Sequence, residues 1–249
     1  MKNAILCAAM SAILFAVSCQ KDNSLEDKSA MTTVQKQNWL TVDLDAEFAN
    51  SQKEVTAYLF STKELTKLVK TPNVTEVHFV LGYSDHTIQI STAGVDANGK
   101  KLGEVNSVVL KETDYSAQLS NLNESTLNTT AKRTPLQNAH IMSPQVAFAG
   151  ITAWQQKLNS VSDLDEVTSF EGTRFRYFSL ESSIIEDMVK KNPANIGLFL
   201  GLNSKGKVTT ILVGLDKNNA VKKTSLTSKE AEDVYDGTRP VPPFGDPEP

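Results

Sequence analysis

The stretch RYFSLESSIIEDMVKKNPANIGLFLGLNSKGKVTTILVGLDKNNAVKK, residues Arg176 to Lys223, has a counterpart about 120 positions earlier. That counterpart is AYLFSTKELTKLVKTPNVTEVHFVLGYSDHTIQISTAGVDANGKKL, residues Ala57 to Leu102. Matching residues keep the same order in both copies: Leu81-Gly82 with Leu200-Gly201, Gly94-Val95-Asp96 with Gly214-Leu215-Asp216, and Asn98 with Asn218. A shared order and a shared period indicate an internal duplication.

Each copy shows the same succession of local patterns. A short apolar strand, 55–60 or 175–178, precedes a helix whose apolar residues recur at helical spacing. Ser61 and Ser179 are the predicted N-caps, and Glu64 completes a capping box with Ser61. Two strands joined by a turn follow in each copy. The sequence therefore predicts an α+β fold of two similar lobes, each a small antiparallel sheet covered by one or two helices.

The flanking segments complete the predicted organisation. Residues 44–55 and the stretch after Ser143-Pro144 are candidates for a helix that precedes each copy. Residues 121–140 are polar and weakly periodic, and the C-terminal residues are rich in proline. The predicted divisions are a signal segment 1–18, a flexible tether 19–33, a first repeat 34–120, a linker 121–140, a second repeat 141–228 and a disordered tail 229–249.

The paired strands carry a resemblance. Phe199-Leu200-Gly201-Leu202 with Leu212-Val213-Gly214-Leu215-Asp216 is similar to strand pairs of the form FGL…LVGVD-x-N-G in uncharacterised Bacteroidota proteins. The pair Leu81-Gly82-Tyr83 and Ala93–Gly99 resembles it as well. The resemblance covers most of residues 40–223 and implies a surface lipoprotein family with duplicated strand-pair units. It implies no catalytic residue.

The N-terminus has the pattern of an export signal. Lys2 precedes an uncharged apolar run from Ala4 to Val17, which at fourteen residues is shorter than the roughly 20 needed to span a bilayer. The run ends in small residues directly before Cys19, a junction that resembles a lipobox although Ala16 stands where leucine is usual. We expect lipidation of Cys19 and anchoring in the membrane through acyl chains. The alternative is an ordinary signal peptide with an incidental cysteine.

The residues after Cys19 bear on the location. Gln20, Lys21 and Asp22 resemble the lysine-plus-acid export signal of Bacteroidota surface lipoproteins. We therefore expect attachment to the outer membrane at the cell surface. The alternative is a solvated tether that faces the periplasm.

The amino-acid composition argues against nucleic-acid binding and against disulfide bonds. The formal net charge is −4, which argues against a nucleic-acid partner because phosphate binding depends on clustered Lys and Arg. The chain has two cysteines, Cys7 within the signal segment and Cys19 at the lipidation site. The mature fold is therefore expected to contain no disulfide.

Histidines and carboxylates are the candidates for a chemical site. His78 and His86 with Asp85 are one possible metal set, but no residue in the second copy matches either histidine. The sequence has no G-x-S-x-G nucleophile elbow. The acidic runs, Asp163/Asp165/Glu166 and Glu230/Glu232/Asp233, are typical of solvated surfaces, and the turn at Asp96 lacks the twelfth-position glutamate of a calcium loop. We predict no catalytic residue, metal or cofactor.

The two tryptophans are the candidates for glycan contact. Trp154 lies on an apolar helical stripe and is predicted to be in the core, whereas Trp39 is less constrained. The expected function is a non-enzymatic envelope lipoprotein that binds or scaffolds an unknown protein or glycan. The alternatives are an enzyme that uses a groove between the lobes and an immunity or inhibitor protein.

Overall fold

The computed structural model describes residues 30–112, 115–223, 230–236 and 238–244, and within them the α+β class is confirmed. The helices are α1 (Thr33–Thr41), α2 (Ala46–Lys53), α3 (Thr62–Val69), α4 (Ser116–Glu124), α5 (Pro135–His140), α6 (Pro144–Lys157), α7 (Leu164–Val167) and α8 (Ser182–Lys190), with a 3₁₀ turn at Val161–Asp163. The strands are β1 (Ala57–Ser61), β2 (Glu76–Ser84), β3 (Thr87–Val95), β4 (Lys101–Asn106), β5 (Val108–Leu110), β6 (Thr126–Leu127), β7 (Ile141–Met142), β8 (Ser169–Phe170), β9 (Thr173–Arg174), β10 (Tyr177–Glu181), β11 (Asn195–Leu202), β12 (Val208–Leu215), β13 (Glu230–Ala231), β14 (Val234–Tyr235) and β15 (Arg239–Val241).

Two antiparallel sheets organise the molecule. The six-stranded sheet has the order β5-β1-β11-β12-β14-β7, and the five-stranded sheet has the order β15-β10-β2-β3-β4. Strands β8 and β9 form a small hairpin, and β13 lies parallel to β6. The predicted strand pairs are both present, as β2 with β3 and as β11 with β12.

The succession strand–helix–strand–strand occurs twice, as β1-α3-β2-β3 and as β10-α8-β11-β12. The two helices contact each other, and each buries the apolar face that its sequence spacing predicts. Those buried residues are Leu65, Leu68 and Val69 on α3, and Ile184, Ile185 and Met188 on α8.

The sheets differ from the expectation of one sheet for each repeat. Strand β1 pairs with β11 of the other repeat, with Tyr58 opposite Leu198, and β10 pairs with β2, with Phe178 opposite Phe79. Each sheet therefore combines the first strand of one repeat with the strand pair of the other. Pairing between residues so distant in sequence is decided by tertiary packing, so the local pattern does not reveal it.

The main core lies between the two sheets. Their inner faces meet at Phe60 and Phe79, whose ring centroids are 6.2 Å apart, and α3 and α8 contribute their apolar faces to the same cluster. A second apolar cluster covers the outer face of the six-stranded sheet, where α6 supplies Ala147 and Ile151. The fold is thus layered, with helices against the outer face of the six-stranded sheet.

A helix crosses each strand pair at the repeated Leu-Gly. Gly201 of β11 lies so close to α6 that a Cβ atom there would be 3.2 Å from the carbonyl carbon of Gly150. Gly82 of β2 lies under α1, and a Cβ atom there would be 2.7 Å from Met31 Sδ. In the first half this crossing helix is α1, whereas the predicted helix at 44–55 forms α2, which lies elsewhere on the fold.

The predicted turn at Asp96 is confirmed, and the structure has an equivalent turn at Asp216. Asp96 Oδ1 accepts hydrogen bonds from the amides of Asn98 and Lys100, and Gly99 has φ +77°. Asp216 Oδ1 does the same with the amides two and four residues later, and Asn219 has φ +59°. The Asp96 segment is therefore a tight turn whose carboxylate stabilises the backbone.

The predicted N-caps Ser61 and Ser143 are confirmed, and the predicted N-cap Ser179 is wrong. Ser61 is the N-cap of α3, but its side chain makes no capping hydrogen bond, so the predicted capping box with Glu64 is absent. Strand β10 continues past Ser179, so that Glu181 is the N-cap of α8. Ser143 accepts a hydrogen bond from the amide of Val146, and Pro144 follows as the first helical residue, as predicted.

The predicted linker and tail contain secondary structure. Residues 121–140 include the end of α4, strand β6 and helix α5. The prediction of a disordered tail is wrong for residues 230–236 and 238–244, because Tyr235 pairs with Leu212 and Arg239 pairs with Ser179. Strand β15 is the edge of its sheet, a position where proline is tolerated because the missing N–H is not needed for the ladder.

A small cavity lies between α2, β1 and α6. It has a volume of about 10 Å³ and is lined in part by Gln52, Tyr58 and Gln155. The Tyr58 hydroxyl is fully buried without a hydrogen-bonding partner, and this burial raises its pKa.

Candidate functional site

The outer faces of the two sheets are covered by different helices. Helix α1 covers the outer face of the five-stranded sheet at the Gly82 end, whereas α6 and α4 cover the outer face of the other sheet. Because side chains alternate along a strand, Glu76, His78 and Val80 share the outer face of the five-stranded sheet with Gly82. We call the part beyond α1, carried by Glu76, His78, Tyr177, Ser179 and Arg239, the open face.

A ladder of charged side chains crosses the open face. Arg239 Nη2 is 2.8 Å from Glu76 Oε1, and its Nη1 is 2.8 Å from Glu181 Oε1. His140 Nε2 is 3.1 Å from the other oxygen of Glu181. Burial raises the pKa of Glu181, but its own amide, Arg239 and His140 together lower it below its usual value. The ladder attaches β15 to the sheet.

The open face contains a depression of about 260 Å³. Its walls come from β2, from the start of β10 and from the turn after β3. This volume suits a small molecule or a single side chain. The polar residues that line it are Thr75, Glu76, His78, Asp96, Asn98 and Ser179.

His78 is the most unusual residue in this depression. Its side chain is 7% exposed and stacks on Tyr177 with ring centroids 4.3 Å apart. Nε2 is 3.4 Å from Glu76 Oε2, and Nδ1 is buried with no hydrogen-bonding partner. Burial lowers the pKa of His78, and Glu76 partly opposes this effect. The imidazole is therefore neutral at neutral pH, with its proton on Nε2 facing the carboxylate and a lone pair on Nδ1.

A serine, a histidine and a carboxylate, the residue types of a hydrolytic triad, lie next to one another at Ser179, His78 and Glu76. Ser179 is directly opposite His78 across the paired strands, but its Oγ accepts a hydrogen bond from Arg239 Nε at 3.3 Å. Ser179 also lies in a strand paired on both sides, where the sheet uses the backbone N–H groups that an oxyanion hole needs. This geometry suits binding better than acyl transfer.

A second depression, of about 340 Å³, lies on the other side of α1. Met31, Gln35 and Asn106 are among its lining residues. Beside it, Glu104 accepts from the Met31 amide at 3.1 Å and pairs with Lys101. Burial raises the pKa of Glu104, but the hydrogen bond from Lys101 and the other bonds to its carboxylate lower it further. These contacts hold the start of the described chain against the five-stranded sheet.

The structure separates the two histidines considered as metal ligands. His86 lies in the β2–β3 turn, where its Nδ1 is 3.0 Å from Glu47, whereas His78 lies on the open face. Among the described residues, no group of three histidine, cysteine or carboxylate side chains is arranged to hold a metal ion.

The acidic runs differ in burial. In the first, Asp163 and Asp165 form ion pairs with Lys157 and Arg174 at the surface. The second was predicted to be solvated, which is wrong for Asp233. That side chain is 11% exposed and lies 2.5 Å from both Arg133 and Lys191.

Burial raises the pKa of Asp233, but hydrogen bonds and charge from Arg133 and Lys191 lower it further. The separation of these residues in sequence hides the cluster from pattern analysis. It attaches the C-terminal segment to α8 and is a structural ion-pair cluster.

Both tryptophans are in the core. Trp154 is buried as predicted. Trp39 is also buried, and its Nε1 donates to the Phe175 carbonyl at 2.6 Å. The possibility that Trp39 stacks on a sugar is therefore wrong, because its ring is inaccessible.

The predicted lipidation and export residues, Cys19, Gln20, Lys21 and Asp22, lie outside the described residues. Within the described ranges, no helix has both the length and the apolar character needed to cross a membrane. Comparisons with family models, with curated proteins and with solved structures found no significant match to the chain. The resemblance to Bacteroidota surface lipoproteins therefore stays a prediction.

Proposed function

We propose that the protein is a cell-envelope lipoprotein, anchored through Cys19, that binds a ligand at the open face without chemical conversion. The open face carries the binding part of this proposal. There a depression of small-molecule size is lined by the buried, incompletely hydrogen-bonded His78. Buried polar groups without partners are uncommon in folded proteins, and they cluster at functional sites.

The anchor part of the proposal rests on the N-terminal sequence. A signal-like apolar run ends in small residues at Cys19, and the next described segment begins at residue 30 on the five-stranded sheet. Eleven residues span at most about 40 Å when fully extended, so the sheet would be held close to the membrane surface. The Gln20-Lys21-Asp22 stretch supports export to the cell surface.

Metabolic labelling with palmitate in the native host tests the anchor. The two cysteines provide a matched pair, because Cys7 lies inside the apolar run and Cys19 at its end. We expect Cys19→Ala to abolish the label and to release the protein from membranes, whereas Cys7→Ala keeps both. Equal labelling of the two variants would overturn the proposed anchor.

Protease shaving of intact cells tests the proposed location at the cell surface. Replacement of Lys21 and Asp22 by alanine is expected to protect the protein from shaving, since it removes the export signal. Replacement of Asp27 and Lys28 by alanine is the control, because it makes the same change of charge five to seven residues further along the tether. Wild-type protein that resists shaving would place it on the periplasmic side instead.

A further inference from the structure

We infer that Asn98 is a site of spontaneous covalent modification, at which its side-chain amide becomes a carboxylate through a cyclic imide. The inference goes beyond the proposed binding function and does not depend on how the protein is anchored. It rests on the residue that follows Asn98, on the exposure of both residues and on a second turn of the same geometry that serves as a comparison.

The reaction needs an asparagine, the main-chain amide of the next residue and water. The amide nitrogen of Gly99 attacks Cγ of Asn98 and closes a cyclic imide, and the side-chain nitrogen of Asn98 leaves as ammonia with the proton of the Gly99 amide. Water then opens the ring at either carbonyl. One product has aspartate at position 98, and the other has isoaspartate, in which the main chain runs through the former side chain. The reaction consumes one water overall and needs no oxidant.

The turn after β3 presents this pair of residues to solvent. Asn98 and Gly99 are both exposed, and a Cβ atom placed on Gly99 would meet no atom within 4 Å. Because Gly99 has no side chain, nothing hinders the approach of its nitrogen to the asparagine amide. Asn98-Gly99 is also the only Asn-Gly pair in the sequence. The site is therefore accessible to water and unhindered.

The turn after β12 has the same hydrogen bonds but a different residue after its asparagine. Asp216 Oδ1 accepts hydrogen bonds from the amides two and four residues later at 2.7 and 3.0 Å, and Asp96 Oδ1 accepts the equivalent two at 2.9 Å each. Asn218 is exposed like Asn98, but it precedes Asn219, whose side chain hinders the attack. The two turns therefore differ at the reacting pair and agree in the geometry around it.

Conversion changes the wall of the depression on the open face. Asn98 lines this depression, so either product adds a carboxylate to a lining that already contains those of Glu76 and Asp96. Isoaspartate also lengthens the main chain by one carbon between the amides of Asn98 and Lys100, which Asp96 Oδ1 holds together. The modified protein therefore has a more negative depression and an altered turn beside it.

Peptide mass mapping after incubation at mildly alkaline pH tests the inference, because hydroxide deprotonates the attacking amide. The protein is the whole mature chain with Cys19→Ser, which keeps every described residue and removes the lipid. We expect Asn98 to convert at least tenfold faster than Asn218, since no side chain hinders the attack at Gly99. Isoaspartate in the product is detected by its enzymatic methylation. Comparable rates at the two positions, or no conversion at either, would overturn the inference.

Two exchange variants assign the effect to the residue after the asparagine. Gly99→Asn gives the first turn the residue pair of the second, and asparagine tolerates the φ of +77° found at this position. Asn219→Gly makes the opposite exchange. We expect Gly99→Asn to lower the rate at Asn98 to the wild-type rate at Asn218. Asn219→Gly should raise the rate at Asn218 to the wild-type rate at Asn98. Rates that stay with the position despite the exchange would overturn the inference.

Discussion

Replacement of Gly201 by alanine should destabilise the fold, whereas the matching change at Gly82 should not. A Cβ atom at Gly201 would lie 2.5 Å from Ile211 Cδ1 and 3.2 Å from the carbonyl carbon of Gly150 in α6. Ile211 is fully buried, so neither neighbour can move without disturbing the cluster between α6 and the sheet. At Gly82 the nearest atoms are the end of the flexible Met31 side chain, which can change rotamer.

The magnitudes follow from two opposing effects. Overpacking of a core costs about 1–3 kcal/mol, and alanine recovers about 0.5–1 kcal/mol relative to glycine within a strand. We therefore expect Gly201→Ala to lower the free energy of unfolding by about 1–2 kcal/mol. Gly82→Ala should stay within about 0.5 kcal/mol of the wild type.

Urea denaturation followed by tryptophan fluorescence measures both free energies, because Trp39 and Trp154 are buried. An equal m-value in the three proteins would show that the denatured states are comparable. If Gly82→Ala were the more damaging change, the proposed contrast between a backbone contact and a flexible side-chain contact would be refuted.

Three further predictions concern buried polar groups. Asp233→Asn should cost about 3 kcal/mol in urea denaturation, because the buried Arg133 and the partly exposed Lys191 lose their carboxylate. Asp165→Asn, on a side chain 74% exposed, should cost at most about 1 kcal/mol, and equal costs would contradict this. Tyr58→Phe should leave the free energy of unfolding unchanged or raise it, since the Tyr58 hydroxyl has no hydrogen-bonding partner. Tyr115→Phe should lower it by about 1 kcal/mol, because the hydrogen bond to a backbone carbonyl is lost. A larger loss at Tyr58 would refute the reasoning. The pKa values of Asp233 and Glu181 are lowered in the folded state, so their contribution to stability is complete above the ordinary carboxyl pKa and is lost as the pH falls through the folded values. The urea midpoint should therefore decrease below about pH 4. A flat profile would argue against a stabilising role for the ion pairs of both carboxylates.

Sequence patterns predicted the local elements well. The strand pairs, the apolar faces of α3 and α8, and the aspartate-capped turns all depend on residues close together in the chain. The exchange of β1 and β10 between the sheets depends on packing between distant segments, which periodicity does not encode. The proline-rich composition predicts a disordered tail, whereas Arg239 makes side-chain bonds that hold an edge strand in place.

The candidate site was only partly visible in the sequence. The residue type alone makes His78 a candidate metal ligand, whereas Glu76, two residues earlier and therefore on the same face of the strand, indicates the contact that His78 makes. Ser179 and Arg239 come from other segments, and only the paired strands bring them beside His78. Sequence reasoning also placed Asp233 at the surface, because its partners Arg133 and Lys191 are far away in the chain.

Thiol labelling of intact cells tests the central claim, that a lipid-anchored protein presents its open face outside the cell. In the lipidated chain Cys19 is consumed, so Asn98→Cys on the open face, or Asn218→Cys in the equivalent turn, introduces a single reactive thiol. An impermeant thiol reagent is expected to label both variants on intact cells. Labelling that requires cell lysis would contradict the proposed location.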